Sequence, residues 1–266
     1  MLNTPPVPPE QPSTGSTTTP PQPTSASASP PPPLPGAPGT DPSERVPIAG
    51  MFGASEAILR QPRRVWFQLT QAGQIQLTIV LLGIAILGAL AYGLVVGTFT
   101  GGDQLWAAPV KIAGGLLLSG LICLPSLYIF ACLSGAHTRL AEVCGLVAGL
   151  LALTTVLLIG FAPVAWVFSQ STESVAAMGA LHLAFAAIAV GFGMKFLARG
   201  FEQLNARFGG GLRVWTTIFV LVLLQMTAAL RPILGTSDAF LPTEKKFFVS
   251  HWTDSLKLSD KGASRR

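Results

Sequence analysis

The fold of this chain is decided by an uncharged apolar run of 24 residues, Ile75 to Thr98, which reads IQLTIVLLGIAILGALAYGLVVGT. About 20 apolar residues in a helix are enough to cross the hydrocarbon core of a bilayer. A single uninterrupted segment in lipid satisfies its backbone hydrogen bonds only as an α-helix. The run therefore predicts a membrane-spanning helix at residues 75–98.

Four further apolar segments follow, at residues 109–134, 141–168, 175–197 and 214–230. The charges within them lie near segment ends rather than midpoints. Only 11 % of the chain is charged, whereas soluble domains carry about 25 % charge. We therefore predict an all-α fold, an integral membrane bundle of five transmembrane helices over residues 75–235.

The N-terminal residues have a different composition. Of the 22 prolines, 16 lie before residue 50, and the first forty residues hold a single charge, Glu10. Such a segment has too few large apolar side chains to offset the entropy of ordering its backbone. Residues 1–45 are therefore predicted to form a disordered Pro/Ser/Thr-rich tail, which we interpret as a spacer rather than a ligand for SH3- or WW-type domains.

Residues 47–74, which connect this tail to the first span, predict an interfacial basic amphipathic segment. Arginines interleaved with apolar side chains are typical of helices on an anionic membrane surface, and Pro62 is expected to break or kink the helix. Beyond the last span, residues 236–266 predict a C-terminal tail. A stripe of Phe248 and Trp252 in that tail indicates a short amphipathic segment.

The distribution of basic residues predicts the orientation. If the N-terminus is cytoplasmic, the inner flanks hold eight basic residues: Arg60, Arg63, Arg64, Arg139, Lys195, Arg199, Arg207 and Arg213. The outer flanks then hold four: Lys111, Arg231, Lys245 and Lys246. Because basic residues are retained on the cytoplasmic side, we predict a cell inner (cytoplasmic) membrane protein with its N-terminus cytoplasmic and its C-terminus outside.

Six positions within the bundle are candidate functional or packing positions. Pro125 and Pro163 interrupt spans, and each frees a backbone carbonyl that a neighbouring group must satisfy. Tyr128 places a hydroxyl near the first of these kinks, and Gln225 is expected at a comparable depth. His182 and Gln225 are polar residues inside spans, for which we prefer satisfied interhelical hydrogen bonds over a proton relay. The sixth position, Arg231, is expected either to reach the outer interface or to pair with Glu173 or Asp238.

Small residues also recur at helical spacing, as in the series Ala85, Ala89, Gly93 and Gly97. Such faces allow close backbone approach between helices in lipid. We interpret them mainly as packing within the chain, with contact to a second copy or another membrane protein as the alternative.

No motif of an enzyme is present in the sequence. The three histidines are widely separated, so the sequence contains neither an HExxH pattern nor a Cys/His metal grouping. We predict no catalytic residue, no cofactor and no metal, and the basic residues flank spans rather than forming a nucleic-acid surface. The predicted partners are the lipid bilayer and other membrane proteins.

Three short motifs resemble those of a family of bacterial multi-pass membrane proteins of uncharacterised activity. They are LICxPxLYxF at residues 121–130, FAP at 161–163 and RPxxG at 231–235. This resemblance extends over residues 55–250 and implies no activity. A weaker likeness is to the Yip1 domain family, which also has a cytosolic region before five spans, although the DLYGP-type motif of that family is missing here. The Yip1 likeness would imply membrane organisation or trafficking.

The function predicted from these patterns is a non-enzymatic scaffold or accessory subunit of a membrane complex. The alternative is a small transporter or channel-like permeation unit built around the kinked second and third spans. A continuous polar cavity reaching Pro125 and Pro163 would favour that alternative.

The orientation is testable with a reporter that is active only in the cytoplasm. Fused after Arg266, it should give no signal, because five spans place the two termini on opposite sides of the membrane. The same reporter fused before Met1 is the positive control. A strong signal from the C-terminal fusion would require an even number of spans or an inverted bundle.

Overall fold

The computed structural model describes residues 39–71, 73–100, 102, 104–135, 138–171, 175–204 and 211–229. This part of the chain is all-α, as predicted. A 3-10 helix, Pro42–Arg45, is followed by α1 (Gly50–Arg60), α2 (Pro62–Leu69), α3 (Gln74–Thr100), α4 (Gln104–Leu133), α5 (Leu140–Ser171), α6 (Val175–Gln203) and α7 (Gly211–Ala229).

Helices α3 to α6 are each long and apolar enough to cross a membrane, by length and composition. They correspond to the first four predicted spans, which confirms the all-α membrane character of the chain. Helix α7 is shorter, with an apolar stretch at Gly211–Thr227, and the predicted end of its span at residue 230 lies outside the described residues. The predicted C-terminal tail, residues 236–266, also lies outside them.

Helix α5 is the centre of the bundle. It packs extensively against α3 on one side and α6 on the other, while α3 also packs against α4 and α4 against α7. In the most apolar stretch of α5, 72 % of the residues are buried, compared with 22 % in that of α6. The helices are therefore arranged across the bundle in the order α6, α5, α3, α4, α7.

Glycines allow these helices to approach closely. A Cβ on Gly93 of α3 would lie 2.4 Å from the Cα of Pro109 of α4, so the two backbones are in direct contact. On the α5–α6 contact, a Cβ on Gly149 would lie 2.5 Å from the ring of Phe196. The small residues at these positions thus serve packing within the chain, the use expected of them in lipid, where apolar burial cannot drive helices together.

Helices α1 and α2 fold back onto one end of this bundle. Helix α1 ends at Arg60 and Pro62 is the first residue of α2. This confirms the predicted break at Pro62. Proline is well tolerated at the first position of a helix because the N–H that it lacks would have no partner within the helix. Both helices bury their apolar side chains against the bundle. The buried residues are Ala54, Ala57, Ile58, Val65, Trp66 and Leu69.

The short segment before α1 is held on α2. Glu44 is only 6 % exposed, and its carboxylate accepts a hydrogen bond from Arg63 Nε at 2.6 Å and another from the Gly39 N–H. Gly39 has a φ of +83°, and a Cβ there would lie 2.3 Å from the Phe67 ring. Only glycine fits such a left-handed position so close to an aromatic ring.

Further hydrogen bonds from α2 extend this attachment. Arg64 donates to the carbonyls of Val46 and Pro47 at 2.9 and 3.0 Å, and Gln68 accepts from the Ile48 N–H at 3.0 Å. The predicted disorder is therefore wrong for residues 39–45, where buried ion pairing replaces the missing apolar burial. Residues 1–38 lie outside the described part of the chain.

The Gly93–Pro109 approach predicts a large effect of one methyl group. Gly93→Ala should destabilise the bundle by about 1–3 kcal/mol, the usual cost of overpacking, because backbone atoms of α4 cannot move aside cheaply. The measurement is the melting temperature of the detergent-solubilised protein. Gly114→Ala on α4 is the matched control: its Cβ would meet nothing within 4 Å, so the better helix propensity of alanine should leave stability unchanged or raised. Equal melting temperatures for both variants would contradict the close approach.

Candidate functional site

One end of the bundle gathers most of the charged side chains of the described residues, and we call it the base. It is formed by α1, α2, the start of α5 and the end of α6. Trp66 of α2 contacts the ring of Phe196 of α6 at a centroid distance of 5.4 Å. Leu69 of α2 lies against Gly145, near the start of α5. These contacts bring α2 beneath both helices.

A polar pocket of about 450 Å³ opens at the base between α2 and the end of α6. Its lining comes from three separate parts of the chain: the 3-10 helix, the α1–α2 junction and the last turns of α6. The residues that line it are Ser43, Glu44, Arg60, Gln61, Pro62, Arg63, Arg64, Trp66, Arg199, Glu202 and Gln203. We call this the arginine pocket.

The charges of the arginine pocket are only partly balanced. Arg63 pairs with the buried Glu44, and Arg60 pairs with Glu56 at 3.0 Å in an exposed contact, a type that contributes little energy. All three guanidinium nitrogens of Arg64 donate hydrogen bonds, to the carbonyls of Val46 and Pro47 and to Gln61 Oε1, but no carboxylate of the described residues offsets its charge. Arg199 forms no ion pair with any described residue. The pocket therefore carries an excess of positive charge and of hydrogen-bond donors.

Trp66 also carries a buried donor at the base. The residue is 5 % exposed, and its indole Nε1 is buried without an acceptor among the described residues. The indole edge lies over Gly200, where a Cβ would come within 3.2 Å of Nε1. Buried donors are nearly always paired, so an acceptor at this position would remove a free-energy cost.

The second polar site lies inside the bundle. The hydroxyl of Tyr92 on α3 and Nδ1 of His182 on α6 are hydrogen-bonded at 2.7 Å, and the two rings meet edge to face. Apolar neighbours surround the pair, including Leu158 of α5 and Phe185 of α6. The predicted interhelical hydrogen bond of His182 is thereby confirmed at Nδ1. Its Nε2 is buried without a partner among the described residues.

The remaining candidates do not come together into one site. Pro125 and Pro163 are both exposed on the outer surface of the described bundle. Tyr128 is half-buried and packs against the core. Near the Pro125 kink, the carbonyl that receives side-chain donors is that of Cys123, from Trp215 Nε1 at 3.0 Å and Ser126 Oγ at 2.8 Å.

The expected proximity of Gln225 to Pro125 is wrong. Helix α7 runs antiparallel to α4, with Trp215 beside Cys123 and Gly211 beside Phe130. Gln225 lies ten residues beyond Trp215, about 15 Å along the helix at 1.5 Å per residue. Its Oε1 is buried with no partner among the described residues, so the expected interhelical hydrogen bond is not formed there. Arg231 lies outside the described residues.

Two features of these sites were not singled out from the sequence. Arg199 and Glu202 belong to the arginine pocket only because α6 ends over α2, a contact between residues more than 130 positions apart in the chain. Tyr92 lies in the most uniformly apolar span, and only the structure shows that its hydroxyl is hydrogen-bonded to His182. The described residues contain no group of three or more His, Cys, Asp or Glu side chains that could hold a metal ion.

Comparison with protein-family models, curated proteins and solved structures finds no match. The resemblance to bacterial multi-pass proteins through three short motifs therefore stays a prediction. Function has to be inferred from the two polar sites and from the outer surface of the bundle.

The buried pair predicts a difference between the two tyrosines of the chain. Tyr92→Phe leaves His182 Nδ1 without its partner in an apolar environment and should cost about 1–3 kcal/mol of stability. Tyr128→Phe, on a half-buried position, should cost less. Adding His182→Leu to Tyr92→Phe should cost less than the sum of the single changes, since both polar partners are then removed. Thermal unfolding in detergent measures all four variants, and equal losses for Tyr92→Phe and Tyr128→Phe would contradict this role.

Proposed function

We propose that this chain is an integral protein of a bacterial inner membrane with five transmembrane helices, a cytoplasmic N-terminus and an external C-terminus. The antiparallel contact of α7 with α4 supports a fifth span, because its apolar stretch runs alongside a helix that is itself long enough to cross. The burial of the Trp215 side chain against Cys123 ties the two helices together.

The distribution of charge in three dimensions supports the proposed orientation. Every arginine of the described residues lies at the base: Arg45, Arg60, Arg63, Arg64, Arg139, Arg199 and Arg213. Lys111 lies toward the other end, near the start of α4. A base rich in arginine is what the cytoplasmic side of a bacterial membrane protein requires.

Within this membrane we propose a non-enzymatic role, as a scaffold or an accessory subunit of a larger complex. The observation that carries the proposal is the outer face of α6. This helix packs on α5 through one face, while Ile188 and Phe192 are 47 % and 53 % exposed on the other. At the opposite edge of the bundle, α7 exposes Val214 and Leu221. Both edges are open to lipid or to helices of another membrane protein.

The transporter alternative receives less support from the geometry. A transporter of this kind requires a polar cavity that reaches the two prolines within the spans. Pro125 and Pro163 are instead exposed on the outside of the bundle. Two pockets lined by described residues lie at the base. A Yip1-like role in membrane organisation is compatible with the scaffold proposal and differs from it only in the partner.

Site-specific photo-crosslinking tests the scaffold proposal in intact membranes. A photoreactive residue at Ile188 or Phe192 should give a discrete crosslinked product, either a second copy of the chain or one defined protein, because these side chains point away from α5. The photoreactive group placed instead at the neighbouring Ala189, which is fully buried, should give no crosslinked product. Crosslinks to lipid alone from both exposed positions, together with solute transport by the purified monomer in vesicles, would overturn the scaffold role in favour of a transporter.

A further inference from the structure

We propose that the arginine pocket binds the phosphate group of an anionic membrane lipid. This inference rests on the proposed membrane location but goes beyond the scaffold role, because it assigns a ligand and a site. The ligand that fits this pocket is a phosphate mono- or diester. Such a group is a compact anion with several oxygens that accept hydrogen bonds.

The first argument is the imbalance between donors and acceptors. Arg64 and Arg199 bring guanidinium groups that no carboxylate of the described residues pairs with. Guanidinium groups bind phosphate oxygens through paired, charge-assisted hydrogen bonds. An anion in the pocket would supply the counter-charge that Arg64 and Arg199 lack among the described residues.

The second argument is that the pocket already holds one anion of the chain itself. Glu44 is buried against Arg63, and the Gly39 N–H donates to the same carboxylate. This arrangement shows how α2 accommodates a negative group, and it leaves Arg64 and Arg199 for a second one. Glu202, also in the lining, is the one carboxylate that would oppose an incoming anion.

The third argument is the position of the pocket along the bundle. Arg199, Glu202 and Gln203 lie in the last two turns of α6, a helix long enough to cross the membrane. The end of such a helix lies at the level of the lipid headgroups. A phosphate attached to a lipid is already concentrated at this depth, which favours a lipid over free phosphate as the source.

Native mass spectrometry of the full chain released from nanodiscs tests this site. The nanodiscs contain phosphatidylcholine and phosphatidylglycerol, and the signal is the phosphatidylglycerol retained per protein. Arg199→Gln should lower this retention about fivefold, the effect of one basic residue beside an anionic membrane surface. The matched control is Arg213→Gln, an exposed arginine at the base that does not line the pocket, and it should retain the lipid like the unmodified chain.

Glu202→Gln keeps the test decisive if Arg199→Gln fails to fold. It removes the opposing carboxylate from the lining and should raise phosphatidylglycerol retention, a gain that loss of folding cannot produce. Equal retention by Arg199→Gln, Glu202→Gln and Arg213→Gln would overturn the proposal. Insertion of these variants, measured separately by carbonate extraction of membranes, distinguishes a failure of the lipid site from a failure of the membrane assignment.

The source of the phosphate is decided by a second measurement. Inorganic phosphate added to the lipid-free protein in a zwitterionic detergent should give no more than a small rise in melting temperature. A large rise that Arg199→Gln abolishes would keep the phosphate chemistry but overturn the lipid as its source.

Discussion

The close backbone approach of helices around α5 is the constraint on which the rest of this structure depends. In lipid there is no hydrophobic force between helices, so packing contacts and satisfied backbone hydrogen bonds hold the bundle together. Gly145 and Gly149 of α5 admit Leu69 and Phe196, and Gly193 of α6 lies against Thr154. The hydroxyl of Thr154 donates to the Leu150 carbonyl, so a polar atom enters this contact without leaving an unpaired group.

The base follows from this arrangement. Because α6 packs closely on α5, its last turns end over α2, and Arg199 lines the same pocket as the arginines of α2. The polar segment before α1 then closes one side, where the buried Glu44 pairs with Arg63, whose side chain is 44 % exposed. Breaking such a pair leaves an uncompensated buried charge. The arginine-rich surface on which the proposed orientation rests thus also forms the arginine pocket.

Two kinds of surface are therefore separated along the bundle. The edges, α6 and α7, expose aliphatic and aromatic side chains over the depth of the membrane, where lipid or another helix covers them. The base exposes cations and unpaired donors at the depth of the headgroups. In the proposed scaffold role, the two edges would contact neighbouring helices through apolar packing, and the base would contact headgroups through charge.

Sequence alone determined the elements that depend on local composition. The long apolar runs predict α3 to α6 because length and the absence of charge near their midpoints suffice for a spanning helix. Pro62 marks the α1–α2 junction because proline favours the first turn of a helix and disfavours its interior. What only the tertiary structure decided is which distant residues come together: Tyr92 contacts His182, Trp215 contacts Cys123, and Arg199 shares a pocket with the arginines of α2. The order of residues 39–45 belongs with these, since a polar segment is held there by Arg63 and Arg64 rather than by any apolar burial of its own. Spacing along one helix reveals which face a residue occupies, but the identity of the facing residue depends on how the helices assemble.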